Sequence, residues 1–261
     1  MEALKLSVNG LFKKTYGYFI MAMAILCLTA ASCSGYSALT NALQHPETTE
    51  RLRITNKKLD SLPPEIGYLT NLRELYLFRN GLRYIPEEIG NLKNLEVLII
   101  GSNRITKLPE SIGKLTKLRK LSLRFNNIES LPIGIGNLTN LEELNLEYNK
   151  LVMIPSGIGN LRKLAFLNLY HNNLKAIPSE IGYLTKLYSL SIGKNDLKEI
   201  PDEIGMLGNL RELDISNCGH IVRIPETIGN LRTLEILYVD ENTILPYSVN
   251  ILSPRLKIIL K

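Results

Sequence analysis

The sequence predicts an α/β repeat protein, built as a curved solenoid with a parallel β-sheet on its concave face. Three observations predict it: an asparagine that recurs every 23 residues, a pair of leucines ahead of each asparagine, and a proline and a glycine at fixed positions behind it. A repeat this short cannot bury its apolar face alone, so successive coils must stack into one continuous core. The recurring asparagines are Asn80, Asn103, Asn126, Asn149, Asn172, Asn195 and, after one coil that is longer by a residue, Asn242.

The paired leucines predict a short strand in each coil. In the wording L-x-L, as at Leu75 and Leu77, the spacing of two residues places both side chains on one face of a strand. That face turns inward, and the intervening residues point out of the concave surface. About 23 residues per coil leave room on the convex side only for short 3₁₀ or irregular segments.

The asparagine, proline and glycine each have an expected role in the turn. The asparagine amide both donates and accepts, so it is suited to bond the backbone of its own and neighbouring coils where the strand ends. Proline fixes φ on the return side and discourages a long helix there. Glycines such as Gly67 and Gly113 follow a buried isoleucine, where we expect a positive φ to turn the chain back.

The complete pattern, L-x-x-L-x-L-x-x-N followed by L-P-x-x-I-G-x-L, resembles the leucine-rich repeat over residues 51–260. The resemblance implies a horseshoe of about nine coils and a terminal strand, residues 51–261. Cys218 stands at the seventh asparagine position, where the family is known to accept cysteine. We therefore expect Cys218 to be buried and unreactive.

Residues 1–32 are typical of a secretory signal peptide. Three lysines precede the apolar run at 18–31, which is followed by small residues. The run is shorter than a comfortable membrane span, although an uncleaved anchor is the alternative. Ala30–Cys33 resembles a bacterial lipobox, which implies a lipid on Cys33 and a membrane anchor; cleavage without lipidation is the other interpretation. Residues 33–50 would then be the anchor linker and a capping segment, helical over Tyr36–Gln44.

This leader, with the repeat wording L-P-x-E-I-G-x-L, resembles exported leucine-rich-repeat lipoproteins of spirochaete type. The resemblance implies a protein of the outer membrane surface, or a secreted one, that binds macromolecules, host molecules among them. Intracellular scaffolds that bind signalling proteins share the repeat wording and are the alternative.

No sequence feature predicts an enzyme, a cofactor or a metal site. The chain has no G-x-S-x-G, H-E-x-x-H or phosphate-binding glycine loop, and its three histidines lack partners that would activate a nucleophile. Its formal charge of +6 is not concentrated in blocks, so we expect no nucleic-acid partner.

The strand face is the predicted ligand-binding surface, because solenoids of this kind usually bind there and the convex positions are largely committed to the I-G-x-L turn. The outward residues of coils one to four carry a net charge of +4 and those of coils five to nine −5, by chance or to match a partner. Tyr76, Phe78, Val97 and Ile99 are expected to form an exposed apolar patch. Phe125, Tyr148 and His171 are expected to stack, which either stiffens the solenoid or contacts a ligand. The candidate ligand-binding residues are Tyr76, Phe78, Arg79, Val97, Ile99, Lys120, Arg124, Phe125, Glu143, Glu147, Tyr148, Phe166, Tyr170, His171 and Tyr238.

Overall fold

The computed structural model describes residues 33–218, 222–252 and 254–261. The predicted signal peptide, residues 1–32, and the side chain of Cys33 lie outside the described part. The lipidation prediction therefore stays a prediction.

Ten parallel strands form one open sheet in chain order, which confirms the predicted solenoid. Each strand pairs with the next at an offset of one repeat, so that Leu75 lies opposite Leu98 and Leu98 opposite Leu121. Equivalent residues of successive coils are therefore direct neighbours across the sheet. The strands are β1 (Arg51–Arg53), β2 (Glu74–Tyr76), β3 (Val97–Ile99), β4 (Lys120–Ser122), β5 (Glu143–Asn145), β6 (Phe166–Asn168), β7 (Ser189–Ser191), β8 (Glu212–Asp214), β9 (Ile236–Val239) and β10 (Lys257–Leu260).

Short 3₁₀ helices of five residues return the chain on the convex side, as expected. A proline in extended conformation precedes each helix, for example Pro109 with φ −69° and ψ 149°. In the described residues these helices are Pro64–Tyr68, Glu87–Asn91, Glu110–Lys114, Ile133–Asn137, Ser156–Asn160, Ser179–Tyr183, Asp202–Met206, Glu226–Asn230 and Tyr247–Ile251.

An N-terminal helix covers the apolar end of the stack. Helix α1 (Cys33–Gln44) buries Tyr36, Leu39 and Leu43 against the first coil. The Tyr36 hydroxyl donates to Oδ1 of Asp60 at 2.7 Å, and burial raises the pKa of that phenol. The helix thus keeps from water the leucines that the first coil cannot bury against a predecessor.

The glycines of the I-G-x-L turn correct one expectation. None of the described glycines has a left-handed φ; instead, the next coil lies too close for a side chain. A Cβ built on Gly113 would stand 2.4 Å from the carbonyl oxygen of Gly134. These glycines set how closely adjacent 3₁₀ helices pack.

The asparagines form a hydrogen-bonded ladder from Asn80 to Asn195. In the middle of it, Oδ1 of Asn149 accepts from the amide of Ile128 at 3.0 Å, while Nδ2 donates to the carbonyls of Leu123 and Leu146, each at 3.0 Å. Asn149 is buried, as are the other ladder asparagines apart from the half-buried Asn80. Each asparagine therefore satisfies backbone groups that the turn would leave without partners.

Cys218 and Asn242 differ in how they continue the ladder. Cys218 is buried, and its Sγ lies 3.3 Å from the carbonyl oxygen of Ile215; burial raises the pKa of the thiol to about 11. Asn242, expected to resume the ladder, is exposed and lies outside it. The carbonyl of Val239, three residues earlier, accepts instead from the amide of Lys261, and Asp240 and Thr243 close the local turn.

Candidate ligand-binding face

The outward side chains of the strand face stand in rows, because the register repeats in every coil. One row is formed by the residues that immediately precede the ladder asparagines. In it, the ring centroids of Phe125 and Tyr148 are 4.5 Å apart and those of Tyr148 and His171 are 4.3 Å apart, so the three rings stack. The predicted stack is therefore present. The ring of Tyr170 meets Tyr148 edge-on at 6.1 Å and widens the aromatic surface.

The residues of this row adopt a backbone conformation that aromatic side chains rarely occupy. Phe125, Tyr148 and His171 have φ values of 55°, 52° and 57°, in the left-handed region. Arg79 and Ser102 share that conformation in earlier coils. Left-handed backbone costs a non-glycine residue on the order of 1–2 kcal/mol. Asn56, Lys194 and Asn217 share the left-handed conformation too, so the turn of the repeat imposes it and the aromatic side chains are held there at an energetic cost.

The apolar patch of the first half is less exposed than expected. Tyr76, Phe78, Val97 and Ile99 are only partly accessible. The guanidinium of Arg124 lies over the ring of Phe78 at 5.4 Å. Arginine stacking on aromatic faces keeps the charge in solvent while its planar group covers the ring.

Two further arginines and one carboxylate cover the same region. Arg79 lies 5.2 Å from the Phe78 ring and Arg53 lies 4.5 Å from the Tyr76 ring. The Tyr76 hydroxyl donates to Oε2 of Glu74 at 2.8 Å, which raises the pKa of the phenol. The first half of the face is therefore a cationic surface laid over aromatic rings.

The second half of the face contains a trough of ≈ 460 Å³. Its floor is made of small and polar outward side chains on β5 to β8, including Asn145, Asn168 and Ser191. The side-chain carbonyl of Asn168 accepts from the amide of Tyr170 at 3.0 Å, and its Nδ2 has no partner among the described residues. Peptide backbones and sugars both present groups that such amides can bond.

Aromatic and acidic side chains line the sides of this trough. Phe166 is 47% exposed and its ring lies 5.7 Å from that of Tyr188. Tyr238 lines the far end, beyond the partly buried Glu212. Glu143, at the near end, bonds to Lys120 at 2.6 Å, and this ion pair bridges the cationic and acidic halves. Glu147, half-buried in the neighbouring row, adds to the negative charge.

A row of alternating charges runs along the edge where the strands begin, and it stops beside the trough. Arg119 pairs with Glu142 at 2.9 Å, and Arg211 with Glu235 at 3.1 Å. Between these pairs the row carries Ala165 and Tyr188 instead of charges. The interruption leaves the exposed rings of Phe166 and Tyr188 accessible from the edge.

Sequence reasoning missed several residues that shape the trough. They are Asn145, Asn168, Asp214 and Lys261, and Tyr188 lies beside the trough against Phe166. The repeat pattern predicts that Asn145, Asn168 and Asp214 point outward. It does not predict the depth of the trough, which the small residues between them create. Lys257 and Lys261 together reduce the net charge of the second half from −5 to −3. Their place on the face follows from the pairing of β10 with β9, which the 23-residue period does not specify.

Residues 33–218, 222–252 and 254–261 show neither a cluster of metal-binding side chains nor a helix that could span a membrane. No group of three or more histidine, cysteine or acidic side chains there could hold a metal ion. None of the helices in this part of the chain has the length and apolar character of a membrane span.

Comparison with known families and structures agrees with the architecture. The family model described as a leucine-rich repeat region matches residues 55–150, and a leucine-rich-repeat model matches residues 140–161 and 209–231. The chain is built from leucine-rich repeats. No curated protein sequence matches the chain.

Solved leucine-rich-repeat structures match most of the chain. A Leptospira interrogans leucine-rich-repeat protein is 29% identical, with a TM-score of 0.65, over 85% of this chain and 74% of that one. An internalin from Listeria monocytogenes is 27% identical, with a TM-score of 0.66, over 84% and 68%. A plant peptide hormone receptor, solved with its peptide, is 30% identical with a TM-score of 0.66, over 80% and 38%. The fold and these likenesses are those of protein-binding modules.

Proposed function

We propose that this leucine-rich-repeat protein is an exported, non-enzymatic binding module that holds a macromolecular partner, host proteins included, on its concave face. The main support for the proposal is a contrast between the interior and the strand face. The interior residues repeat from coil to coil, whereas the strand face contains an aromatic row and an acidic trough. Interface energy concentrates in a few aromatic and arginine anchors of this kind. The peptide bound to the similar plant receptor supports a protein or peptide ligand.

The export part of the proposal is supported by the N-terminal sequence. The basic segment, the apolar run and Cys33 fit a signal peptide followed by a lipid-modified cysteine. A single acyl chain binds membranes only marginally, whereas several chains hold a protein stably. The proposed anchor is therefore a multiply acylated Cys33 in the outer membrane.

Anchoring is tested by labelling the full chain with radioactive palmitate in a bacterial host. We expect the native protein to incorporate label and to partition into the detergent phase, and Cys33→Ser to do neither. Cys218→Ser is the matched control, because Cys218 is buried, and it should leave labelling unchanged. Equal labelling of the native protein and Cys33→Ser would contradict the anchor. An unlabelled native protein would indicate export without lipidation if it is found in the medium, and the intracellular alternative if it stays in the cytoplasm.

Partner binding is tested with immobilised extracellular-matrix and serum proteins. We expect the full chain to bind a component of this set, and Tyr148→Ala combined with Tyr170→Ala to weaken that binding at least about 5-fold, which is more than ~1 kcal/mol. The matched control is Tyr183→Ala, because Tyr183 is half-exposed on the convex side. A partner lost through Tyr183→Ala, yet indifferent to the concave pair, would overturn the assignment of the face.

Charge contributes differently from the aromatic side chains. Reversing Glu143 and Glu147 to lysine should act mainly on the association rate and its salt dependence, because these groups are solvent-accessible. Stopped-flow or surface-plasmon measurements at two salt concentrations separate this effect from a change in dissociation rate.

A further inference from the structure

The ammonium group of Lys261 lies in a cage at the far end of the trough. Its Nζ is 2.7 Å from Oδ2 of Asp214, 4.0 Å from the centroid of the Tyr238 ring and 5.9 Å from that of the Tyr170 ring. One carboxylate and two aromatic faces around a single cation are the recognition elements for an ammonium ligand. The side chain that occupies the cage belongs to the protein itself.

The anionic side of the cage is held rigidly by its neighbours. Asp214 is buried, and its Oδ1 accepts both the amide, at 3.0 Å, and the hydroxyl, at 2.5 Å, of Ser216. Oδ2 is thereby left to face the cation. A Cβ at Gly193 would lie 2.8 Å from Oδ1, so the preceding coil keeps this space clear of side chains. Such support fixes the carboxylate before any ligand arrives.

Lys261 is held in register without using its side chain. Its backbone amide donates to the carbonyl of Val239 at 3.0 Å and continues the pairing of β10 with β9. The side chain remains 37% exposed, at the open end of the trough. The ammonium group can therefore leave the cage while the strand stays paired.

We infer that this cage is a recognition site for a lysine side chain of a basic protein segment, and that Lys261 occupies it in the absence of the partner. The inference rests on the proposed function and names the chemistry of the partner. The trough leads to the cage along Glu143 and Glu212, and its net charge is negative, so it favours a basic segment. The exposed aromatic rings beside the trough would cover the apolar part of that segment.

Occupation by Lys261 lowers the apparent affinity for the partner. A site that is open only part of the time binds with an affinity reduced by its open fraction. Removing the Lys261 ammonium should therefore strengthen the binding of a lysine ligand, whereas removing a side chain that only supports the fold would not.

The probe is the peptide acetyl-Gly-Lys-Gly-amide, titrated into the full chain while tyrosine ring signals are followed by NMR. We expect Lys261→Ala to bind it at least 5-fold more tightly than the native chain. The matched peptide with norleucine in place of lysine should not bind, because it keeps the chain length and lacks the charge. Tyr238→Leu, introduced into the Lys261→Ala variant, should abolish binding of the lysine peptide.

Three results would overturn the inference: equal affinity for the native chain and Lys261→Ala, binding of the norleucine peptide, or a lower melting temperature of Lys261→Ala without peptide binding. The last result would make Lys261 a clasp for β10. A macromolecular partner whose binding survives Tyr238→Leu and Asp214→Asn would also refute the cage and leave the proposed function intact. Peptide binding to Lys261→Ala without any macromolecular partner would uphold the cage and refute the proposed function.

Discussion

Inside the solenoid each coil carries the same residues at the same positions, whereas on the strand face neighbouring coils differ. Leu75, Leu98 and Leu121 lie opposite one another in consecutive strands, all buried. On the face of the same sheet, Phe166 lies opposite Ser189. The interior thus fixes where every outward position stands, and the outward side chain can change without moving the backbone. The proposed binding function therefore depends on the residues that break the repeat.

The largest expected effect on the free energy of unfolding comes from a substitution in the interior. Asn149→Ala leaves one buried amide, that of Ile128, without a partner, which costs about 1–3 kcal/mol. It also removes one of the two donors to each of two buried carbonyls, which the neighbouring ladder asparagines still bond. We expect a loss of about 3 kcal/mol in the free energy of unfolding, measured by denaturant titration. Asn137→Ala, an exposed asparagine on the convex side, should change it by less than ~0.5 kcal/mol. Equal losses at the two sites would remove the distinction between interior and surface.

The packing of the convex turns is expected to give the next largest effect. Gly113→Ala places a methyl group against the backbone of the following coil, and overpacking of this kind costs about 1–3 kcal/mol. Gly208→Ala meets no atom within 4 Å and should be neutral or slightly stabilising. Thermal unfolding of the two variants distinguishes close approach from backbone conformation as the reason for these glycines. A tolerated Gly113→Ala would show that the coils can separate.

The interior was predictable from the sequence, because one repeat contains nearly all the information about its packing. The strands, the 3₁₀ helices and the stack at Phe125 follow from position alone. Asn242 departs from the rule at the end of the repeat array, where β10 pairs with β9 and the amide of Lys261 bonds to the carbonyl of Val239. The trough and the cage were not predictable, since they depend on which small and large side chains meet from three or more coils.

The smallest effect on stability is expected on the face. Tyr148→Gly relieves a left-handed backbone, worth about 1–2 kcal/mol, and removes three ring contacts of about 0.5–1.5 kcal/mol each. Because the rings are partly exposed, we expect the contacts to lie at the lower end of that range, so the free energy of unfolding should change by less than ~1 kcal/mol, while partner binding weakens at least about 5-fold.

Ser102→Gly is the matched control for this prediction. Ser102 has the same left-handed φ of 56° and no ring contact, so the change should stabilise the protein by up to ~1 kcal/mol. If Tyr148→Gly destabilises by several kcal/mol instead, the aromatic row serves the solenoid and not a ligand.

The asparagine ladder has a direction. Apart from contacts within its own coil, each ladder asparagine bonds to the coil that precedes it, as Asn80 does with Ile54 and Leu59 and Asn172 with Leu146 and Leu151. A chain that emerges with its N-terminal end first therefore always has, already in place, the surface on which the next coil closes. The first of these surfaces is completed by α1. Assembly can then keep pace with synthesis, one coil at a time, and no coil has to wait for a distant part of the chain.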